Sequence, residues 1–187
     1  MEQPNAPLLT ALLFGPFLLG VLQMLALEPR ARSWHTTLRK WPYRPPGVVH
    51  PVMWTWSYLS IGYASYLFYT SASSRPSLLL NAALYGVHMA LLNSWGLVFY
   101  HLRRIDVACK IMLMLDVVVA LSLPALATAH TLPAVLCVPY LCWLLMLTYM
   151  NWYMMVHNEH ATHMSASKQQ LLAQHRAPLR HSKPHLT

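Results

Sequence analysis

The sequence predicts an all-α membrane protein built as a bundle of five transmembrane helices, and three observations lead to that fold class. Hydrophobic residues make up 56% of the 187 residues, whereas charged residues make up only 10%. A water-soluble domain carries about 25% charged residues, so this chain has too few to cover a surface in water. The chain also contains five apolar stretches of about 20 residues, the length that a helix needs to cross a bilayer. Strands of a membrane β-barrel would be half as long and would alternate in polarity, which these stretches do not.

The five predicted spans are residues 8–27, 48–69, 78–100, 107–127 and 133–156. They are expected to form one transmembrane domain over residues 1–157. Several prolines lie inside or at the ends of the spans. In a bundle the neighbouring helices satisfy the backbone carbonyls that a proline leaves free, so these positions predict kinks rather than breaks.

The distribution of lysine and arginine predicts the orientation in the membrane. Twelve of the thirteen lie in the first connection, around the third connection and in the C-terminal tail, and only Arg75 lies on the other side. By the positive-inside rule, the C-terminus and the first and third connections are expected in the cytosol. Because the basic residues stand in short groups between apolar runs, we expect membrane lipid as a partner and no nucleic acid.

The first connection, residues 28–47, is long for a helix bundle. It carries Trp41, Tyr43 and the pair Pro45-Pro46, and the prolines stiffen it. Two interpretations remain open for its aromatic residues. They lie either at the level of the lipid headgroups, as an interfacial belt, or over a cavity as a lid.

The second and fifth predicted spans contain a distinctive series of motifs. They are Pro45-Pro46, Pro51, Trp54, Tyr58, the run Gly62-Tyr63-Ala64-Ser65-Tyr66-Leu67, and Pro139-Tyr140-Leu141 with Trp143 and Asn151. This series resembles the translocator protein family, which includes the peripheral benzodiazepine receptor and the bacterial tryptophan-rich sensory proteins. The resemblance covers about residues 8–157 and departs from the family pattern at Asn93 and Val107, as expected of a divergent eukaryotic member.

This resemblance implies a five-helix bundle, often a homodimer, with a ligand cavity near the cytosolic side and the first connection as its lid. It implies cholesterol and porphyrins, including haem, as ligands, and it requires no cofactor. It also implies the mitochondrial outer membrane as the location, with the endoplasmic reticulum or the plasma membrane as alternatives.

The candidate ligand-binding residues share helical faces by their spacing. Residues three, four or seven positions apart lie on one side of a helix. Aromatic walls suit a flat, rigid and apolar molecule, whereas the alternative interpretation is ordinary helix packing. The candidates are Trp54 and Tyr58, Trp95 and Phe99, and Trp143, Leu147 and Met150, and the resemblance adds Asn151.

Two polar residues, Asp116 and His88, fall in the middle of predicted spans at similar depth. An ionised carboxylate buried in the bilayer costs several kcal/mol, so Asp116 should face the bundle and have a partner. We predict a contact between Asp116 and His88. In the tail, residues 158–187, His160 and His163 follow His157 at every third position, but no cysteine or carboxylate cluster joins them. A disordered tail without a metal site is therefore expected.

The sequence contains no spacing typical of a nucleotide-binding loop, a zinc protease helix or a serine-hydrolase triad, so no catalytic residue is predicted. A receptor or transporter that binds flat apolar ligands is the first hypothesis. The alternatives are a membrane enzyme that degrades tetrapyrroles or carries out redox chemistry, and a membrane scaffold that recruits partners through its tail.

Overall fold

The computed structural model describes residues 6–71, 75–129 and 131–158, and these residues form helices joined by short connections. No strand occurs among them. The all-α prediction is therefore confirmed. The helices are α1 (Ala6–Leu25), α2 (Pro29–Thr37), α3 (Val49–Ser71), α4 (Arg75–Gly96), which continues into a π-helical turn (Leu97–His101), α5 (Ile105–Ala129) and α6 (Thr131–His157).

Four stretches of the described chain are long and apolar enough to cross a membrane: Ala6–Leu25, Leu78–His101, Ile105–Pro124 and Thr131–His157. Four of the five predicted spans therefore have a counterpart among these stretches, and the number of five is not confirmed. Helix α3 has 23 residues, which is sufficient length, but it is not among the four. The reason is its composition, because serine, threonine, tyrosine and histidine side chains interrupt its apolar residues.

Helix α6 occupies the centre of the packing. It packs along α5 on one side and α3 on the other, while α1 packs on α3 and α4 packs on α5. The order around the bundle is therefore α1, α3, α6, α5, α4. The short connection between α3 and α4 predicts close neighbours, but these two helices make few contacts because each packs on a different partner.

Two close approaches hold α1 in the bundle. A Cβ atom added to Gly62 of α3 would overlap the backbone carbonyl oxygen of Leu12, so α1 and α3 meet backbone against backbone. At the other edge of α1, Gln23 Nε2 donates a hydrogen bond to Asn93 Oδ1 of α4 over 2.6 Å. Small residues allow such backbone approaches between membrane helices.

The first connection contains a helix that the sequence analysis does not anticipate. Helix α2 begins at Pro29, and proline is favoured at the first position of a helix because its missing N–H has no intrahelical partner there. Ala31 is buried, and the ring centroid of Trp34 lies 5.6 Å from that of Phe99. Helix α2 is thereby packed against the π-helical turn.

Two residues after the π-helical turn, Arg103 has a φ of 55°, which lies in the left-handed region. A residue in that conformation is a common way to end a helix, although it is usually glycine. The guanidinium group of Arg103 lies 5.7 Å from the ring centroid of Trp34. A cation–π contact therefore joins the segment after the π-helical turn to the middle of α2.

Candidate ligand-binding site

A cluster of side chains from α3, α4, α5 and α6 lies in the half of the bundle next to α2, and we call it the aromatic cluster. Its buried members are Leu92, Met112, Leu115, Val119, Tyr140, Trp143, Leu144, Leu147 and Met150. Half-buried side chains pack around them, and they include Trp41, Trp54, Tyr58 and Trp95. The structure thus brings together six of the eight predicted ligand-binding residues, namely Trp54, Tyr58, Trp95, Trp143, Leu147 and Met150.

Trp143 is the buried aromatic residue around which the predicted site is arranged. Its side chain is 4% exposed, and its indole Nε1 has no hydrogen-bond partner among the described residues. The ring of His50 lies 5.2 Å away, edge to face. On α3, Trp54 stacks on Tyr58 with 5.8 Å between the ring centroids. A buried N–H without an acceptor is costly, so this donor is available to a ligand.

Asn151 is buried and connects α6 with α4. Its Nδ2 donates to the carbonyl oxygen of Leu147 over 2.9 Å, and its Oδ1 accepts a hydrogen bond from Trp95 Nε1 over 3.3 Å. The amide therefore fixes the orientation of the Trp95 ring beside the aromatic cluster.

Phe99 does not lie in the aromatic cluster, which differs from the prediction. It belongs to a second cluster with Leu38, Ile105, Ala108 and Met154. The cause is the π-helical turn, which contains Phe99 and faces α2. Phe99 still stacks on Trp95, with 5.5 Å between ring centroids.

The four predicted lid residues have different surroundings. Trp41 packs against the aromatic cluster and lies 5.2 Å from the ring of Tyr149 on α6. Tyr43 touches Trp41 but is 79% exposed. Pro45 is half-buried and Pro46 is exposed. Of these four, only Trp41 covers the cluster.

Backbone contacts attach the first connection to the end of α6. Asn158 Oδ1 accepts a hydrogen bond from the backbone N–H of Arg39 over 2.8 Å, and Asn158 Nδ2 donates to the carbonyl oxygen of Arg39 over 2.9 Å. The ammonium group of Lys40 donates to the carbonyl oxygen of His35 over 2.5 Å. These bonds keep Trp41 in position over the cluster.

Burial and the nearby charge of Lys40 lower the pKa of His35 to about 4. Burial and the charge of Arg44 lower the pKa of Lys40. His35 is therefore neutral near pH 7, and it packs as an uncharged ring against Phe99 and Tyr100.

The predicted contact between Asp116 and His88 is wrong. His88 Nε2 lies 2.6 Å from the hydroxyl of Tyr140, and Asp116 Oδ2 accepts a hydrogen bond from the hydroxyl of Thr148 over 2.7 Å. Both partners belong to α6, because α6 lies at the centre of the packing. The depths of the two residues can be estimated from the sequence, but the helix that each one meets cannot.

Four residues of the site were missed by the sequence analysis. Tyr140 lies three residues before Trp143 and seven before Leu147, so the spacing already used for α6 could have found it. Thr148, His35 and Asn158 have no comparable signal, since their roles depend on which segments meet. Among the described residues there is no group of three or more histidine, cysteine, aspartate or glutamate side chains that could hold a metal ion. His160 and His163 and the rest of the tail from residue 159 lie outside the described residues.

Comparison with models of protein families gives one match. The model of the TspO/MBR family matches residues 11–157, which run from α1 to the last residue of α6. Comparison with curated proteins gives no match. The family match covers most of the chain and all of the helices that build the aromatic cluster, and it agrees with the resemblance carried by the motifs of the second and fifth predicted spans. The chain therefore belongs to the TspO/MBR family.

Proposed function

We propose that this protein is a membrane receptor or transporter that binds flat apolar molecules, such as cholesterol and porphyrins including haem, in the aromatic cluster. The observation that carries the proposal is the meeting of Trp54, Trp95 and Trp143 from three helices beneath Trp41 of the first connection. Aromatic side chains provide a large contact area at low entropic cost, and they stack on rings. Family membership supports the same kind of ligand.

In this proposal α3 is the fifth membrane span, and the C-terminus faces the cytosol. Helix α3 packs between α1 and α6, so its polar side chains need not face lipid. Their hydroxyl groups also have partners: Ser57 Oγ donates to the carbonyl oxygen of Met53 over 2.6 Å, and Ser60 Oγ donates to that of Ser57 over 3.1 Å. The proposed location is the mitochondrial outer membrane, with the endoplasmic reticulum and the plasma membrane as alternatives.

The half-buried members of the cluster provide the way in for a ligand. Trp41, Trp54 and Trp95 keep part of their surface exposed, whereas Leu144 is fully buried. A ligand enters by moving these three indole rings aside. It then stacks on them and accepts a hydrogen bond from the indole N–H of Trp143. The core formed by α5 and α6 then stays in place, and the chain acts by binding and release rather than by catalysis.

Equilibrium titration of the full chain in lipid nanodiscs tests this proposal. Protoporphyrin IX, haem and cholesterol are titrated separately into wild type, Trp54→Ala and Trp143→Ala. Each substitution removes an aromatic wall, so we expect affinity for the preferred ligand to fall about tenfold or more, which corresponds to about 1.4 kcal/mol.

The chain offers a matched control for each variant. Trp56 is 44% exposed on α3, and Trp152 is 46% exposed on α6. Trp56→Ala and Trp152→Ala remove the same side chain from the same helices outside the cluster, so affinity should stay within about twofold of wild type. Equal weak partitioning of all three ligands into every variant would contradict the proposal, as would equal losses in the exposed and the clustered variants.

A further inference from the structure

The bundle consists of two packed helix pairs on either side of α6. Helix α1 packs on α3, α4 packs on α5, and α6 packs along both α3 and α5. Opposite α6, helix α4 faces α1 and α3 across a boundary with few contacts, and we call this boundary the α4 seam. Packing therefore holds each pair together but does little to hold one pair to the other at the seam.

A hydrogen bond between two amide side chains bridges the α4 seam, and we call it the amide bridge. Gln23 Nε2 of α1 donates to Asn93 Oδ1 of α4 over 2.6 Å, and no other side-chain hydrogen bond joins α1 to α4 among the described residues. Asn93 Nδ2 donates to the carbonyl oxygen of Met89 over 2.6 Å, which fixes the orientation of that amide. A Cβ atom added to Gly96 would lie 3.3 Å from Gln23 Oε1, so this glycine leaves room for the glutamine.

The amide bridge lies at the end of the seam that can separate. Helices α3 and α4 follow each other in the chain, so the connection before Arg75 ties the two pairs together at one end. Asn93 lies about 27 Å along α4 from Arg75, near the other end. Helix α1 is held on α3 where Leu12 meets Gly62, about 16 Å before Gln23. Helix α1 therefore moves with α3, and the bridge resists a separation of the two pairs.

The aromatic cluster borders the seam at the level of the amide bridge. Leu92 and Trp95, on either side of Asn93 in the sequence, both belong to the cluster. On α1, a Cβ atom added to Gly20 would overlap the ring of Tyr58, which is another member of the cluster. The seam therefore leads to the cluster between the residues of α1 that cover Tyr58 and the residues of α4 next to Asn93.

The bridge also faces the surface that lipid covers in a membrane. Gln23 is exposed, and its neighbours Leu22 and Leu25 on α1 are exposed apolar side chains. A hydrogen bond between polar side chains of two membrane helices contributes only a modest free energy, so it opens readily. A molecule dissolved in the bilayer can therefore reach the seam without passing Trp41 and the first connection.

We propose that the amide bridge of Gln23 and Asn93 is a lateral gate, and that a ligand passes from the bilayer into the aromatic cluster when the bridge opens. This inference rests on the proposed function of the cluster, and it adds the route and the residues that control the rate. The bridge is closed both before and after a ligand has passed. It therefore governs the rates of entry and exit and leaves the affinity unchanged.

Stopped-flow mixing of protoporphyrin IX with the full chain in nanodiscs tests the gate, with tryptophan quenching as the signal. Empty nanodiscs give the rate of entry into lipid alone. Gln23→Leu and Asn93→Leu each remove the bridge. We expect the association and dissociation rate constants both to rise about fivefold, which corresponds to about 1 kcal/mol, while the Kd stays within about twofold of wild type.

Two further variants separate the hydrogen bond from other effects of substitution. Ser94→Leu is the matched control on α4, because Ser94 is exposed and donates its hydroxyl proton to the carbonyl oxygen of Ala90 within the same helix. Its rate constants should stay within about twofold of wild type. The exchanged pair Gln23→Asn/Asn93→Gln keeps two amides of the same combined length, so it should return both rate constants to within about twofold of wild type.

Three results would overturn the gate. Unchanged rate constants in both leucine variants, with an affinity that still falls in Trp143→Ala, would overturn the gate alone. A faster dissociation with an unchanged association rate would also do so, because the amides would then bind the ligand. Equal partitioning of protoporphyrin IX into wild type and Trp143→Ala would overturn the proposed function, and the gate with it.

Discussion

The two halves of the bundle are packed in different ways, although the same helices run through both. In the half next to α2, large rings such as Tyr140 and Trp143 fill the space between helices, and Trp41 covers them. In the half next to the α3–α4 connection, the buried cluster is smaller and mixes the small residues Ala64 and Cys137 with one ring, Phe68, and with Leu126. The first half is thus filled by several rings, whereas the second contains fewer of them, and α1 and α3 meet backbone against backbone at Gly62 and Leu12.

This difference bears on which half can open. An indole ring can rotate away from its neighbours and return, whereas a backbone-to-backbone contact cannot yield without separating two helices. A binding site for a large ring molecule therefore belongs among the rings.

Two glycines on the α1–α3 interface provide the strongest test of this contrast. A Cβ at Gly62 would overlap the backbone of Leu12, whereas a Cβ at Gly20 would lie 2.5 Å from the hydroxyl oxygen of Tyr58, the far end of a side chain. We expect Gly62→Ala to lower the free energy of unfolding by about 3 kcal/mol and Gly20→Ala by less than about 1 kcal/mol. Reversible unfolding by SDS in mixed micelles measures both.

Gly86 on α4 is the control for this comparison. An added Cβ there meets nothing within 4 Å. Gly86→Ala should leave stability unchanged or raise it by at most about 1 kcal/mol, because alanine favours the helix. Equal losses of unfolding free energy in Gly20→Ala and Gly62→Ala would show that the two halves tolerate an added side-chain atom equally well.

The helices were predictable from the sequence because hydrophobic length constrains them strongly. The predicted span 107–127 lies within Ile105–Ala129, and 133–156 lies within Thr131–His157. Helix α2 was missed because its polar residues give no apolar periodicity, although Pro29 is a start signal. The π-helical turn at Leu97–His101 has no counterpart in the local sequence pattern.

The candidate site was predictable only where residues share a helix face. Trp143, Leu147 and Met150 meet the aromatic cluster together, as their spacing requires. The pairing of His88 with Tyr140 and of Asp116 with Thr148 depends on the order of helices around the bundle. No local pattern contains that order, so the predicted contact between His88 and Asp116 failed.

The pair of Asp116 and Thr148 tests whether the ring-packed half also depends on a polar contact. Asp116 is 4% exposed, and its other oxygen, Oδ1, has no partner among the described residues. Thr148→Val removes the hydroxyl that bonds to Oδ2, so we expect a loss of about 2 kcal/mol in the free energy of unfolding. The double variant Asp116→Leu/Thr148→Val removes both polar groups and should unfold within about 0.5 kcal/mol of wild type. If the double variant is as unstable as Thr148→Val alone, the loss comes from packing and not from the hydrogen bond.

We expect a mild effect of pH on the docking of α2, and none on the half of the bundle that α2 does not cover. The pKa of His35 is about 4 when α2 is docked and about 6.5 when the ring is free in water, so the undocked state binds more protons between these values. Docking is therefore complete above about pH 6.5 and weakens as the pH falls toward 4. Because the ring is partly exposed, we expect hydrogen exchange of the α2 amides to rise by about tenfold or less between pH 7.5 and pH 5, after correction for intrinsic exchange.

His35→Phe is the matched variant for this measurement. It keeps a ring beside Phe99 and Tyr100, where His35 lies at 5.8 and 5.6 Å, but it cannot take up a proton. The charged neighbours Lys40 and Arg44 stay in place, as does His50, the other titratable neighbour. In His35→Phe, the corrected hydrogen exchange of α2 should no longer depend on pH. The corrected exchange of residues 61–68 of α3 should not depend on pH in either protein. If His35→Phe keeps the full pH dependence, another group governs docking, and His50 is the next candidate because its ring faces Trp143 beneath the same connection.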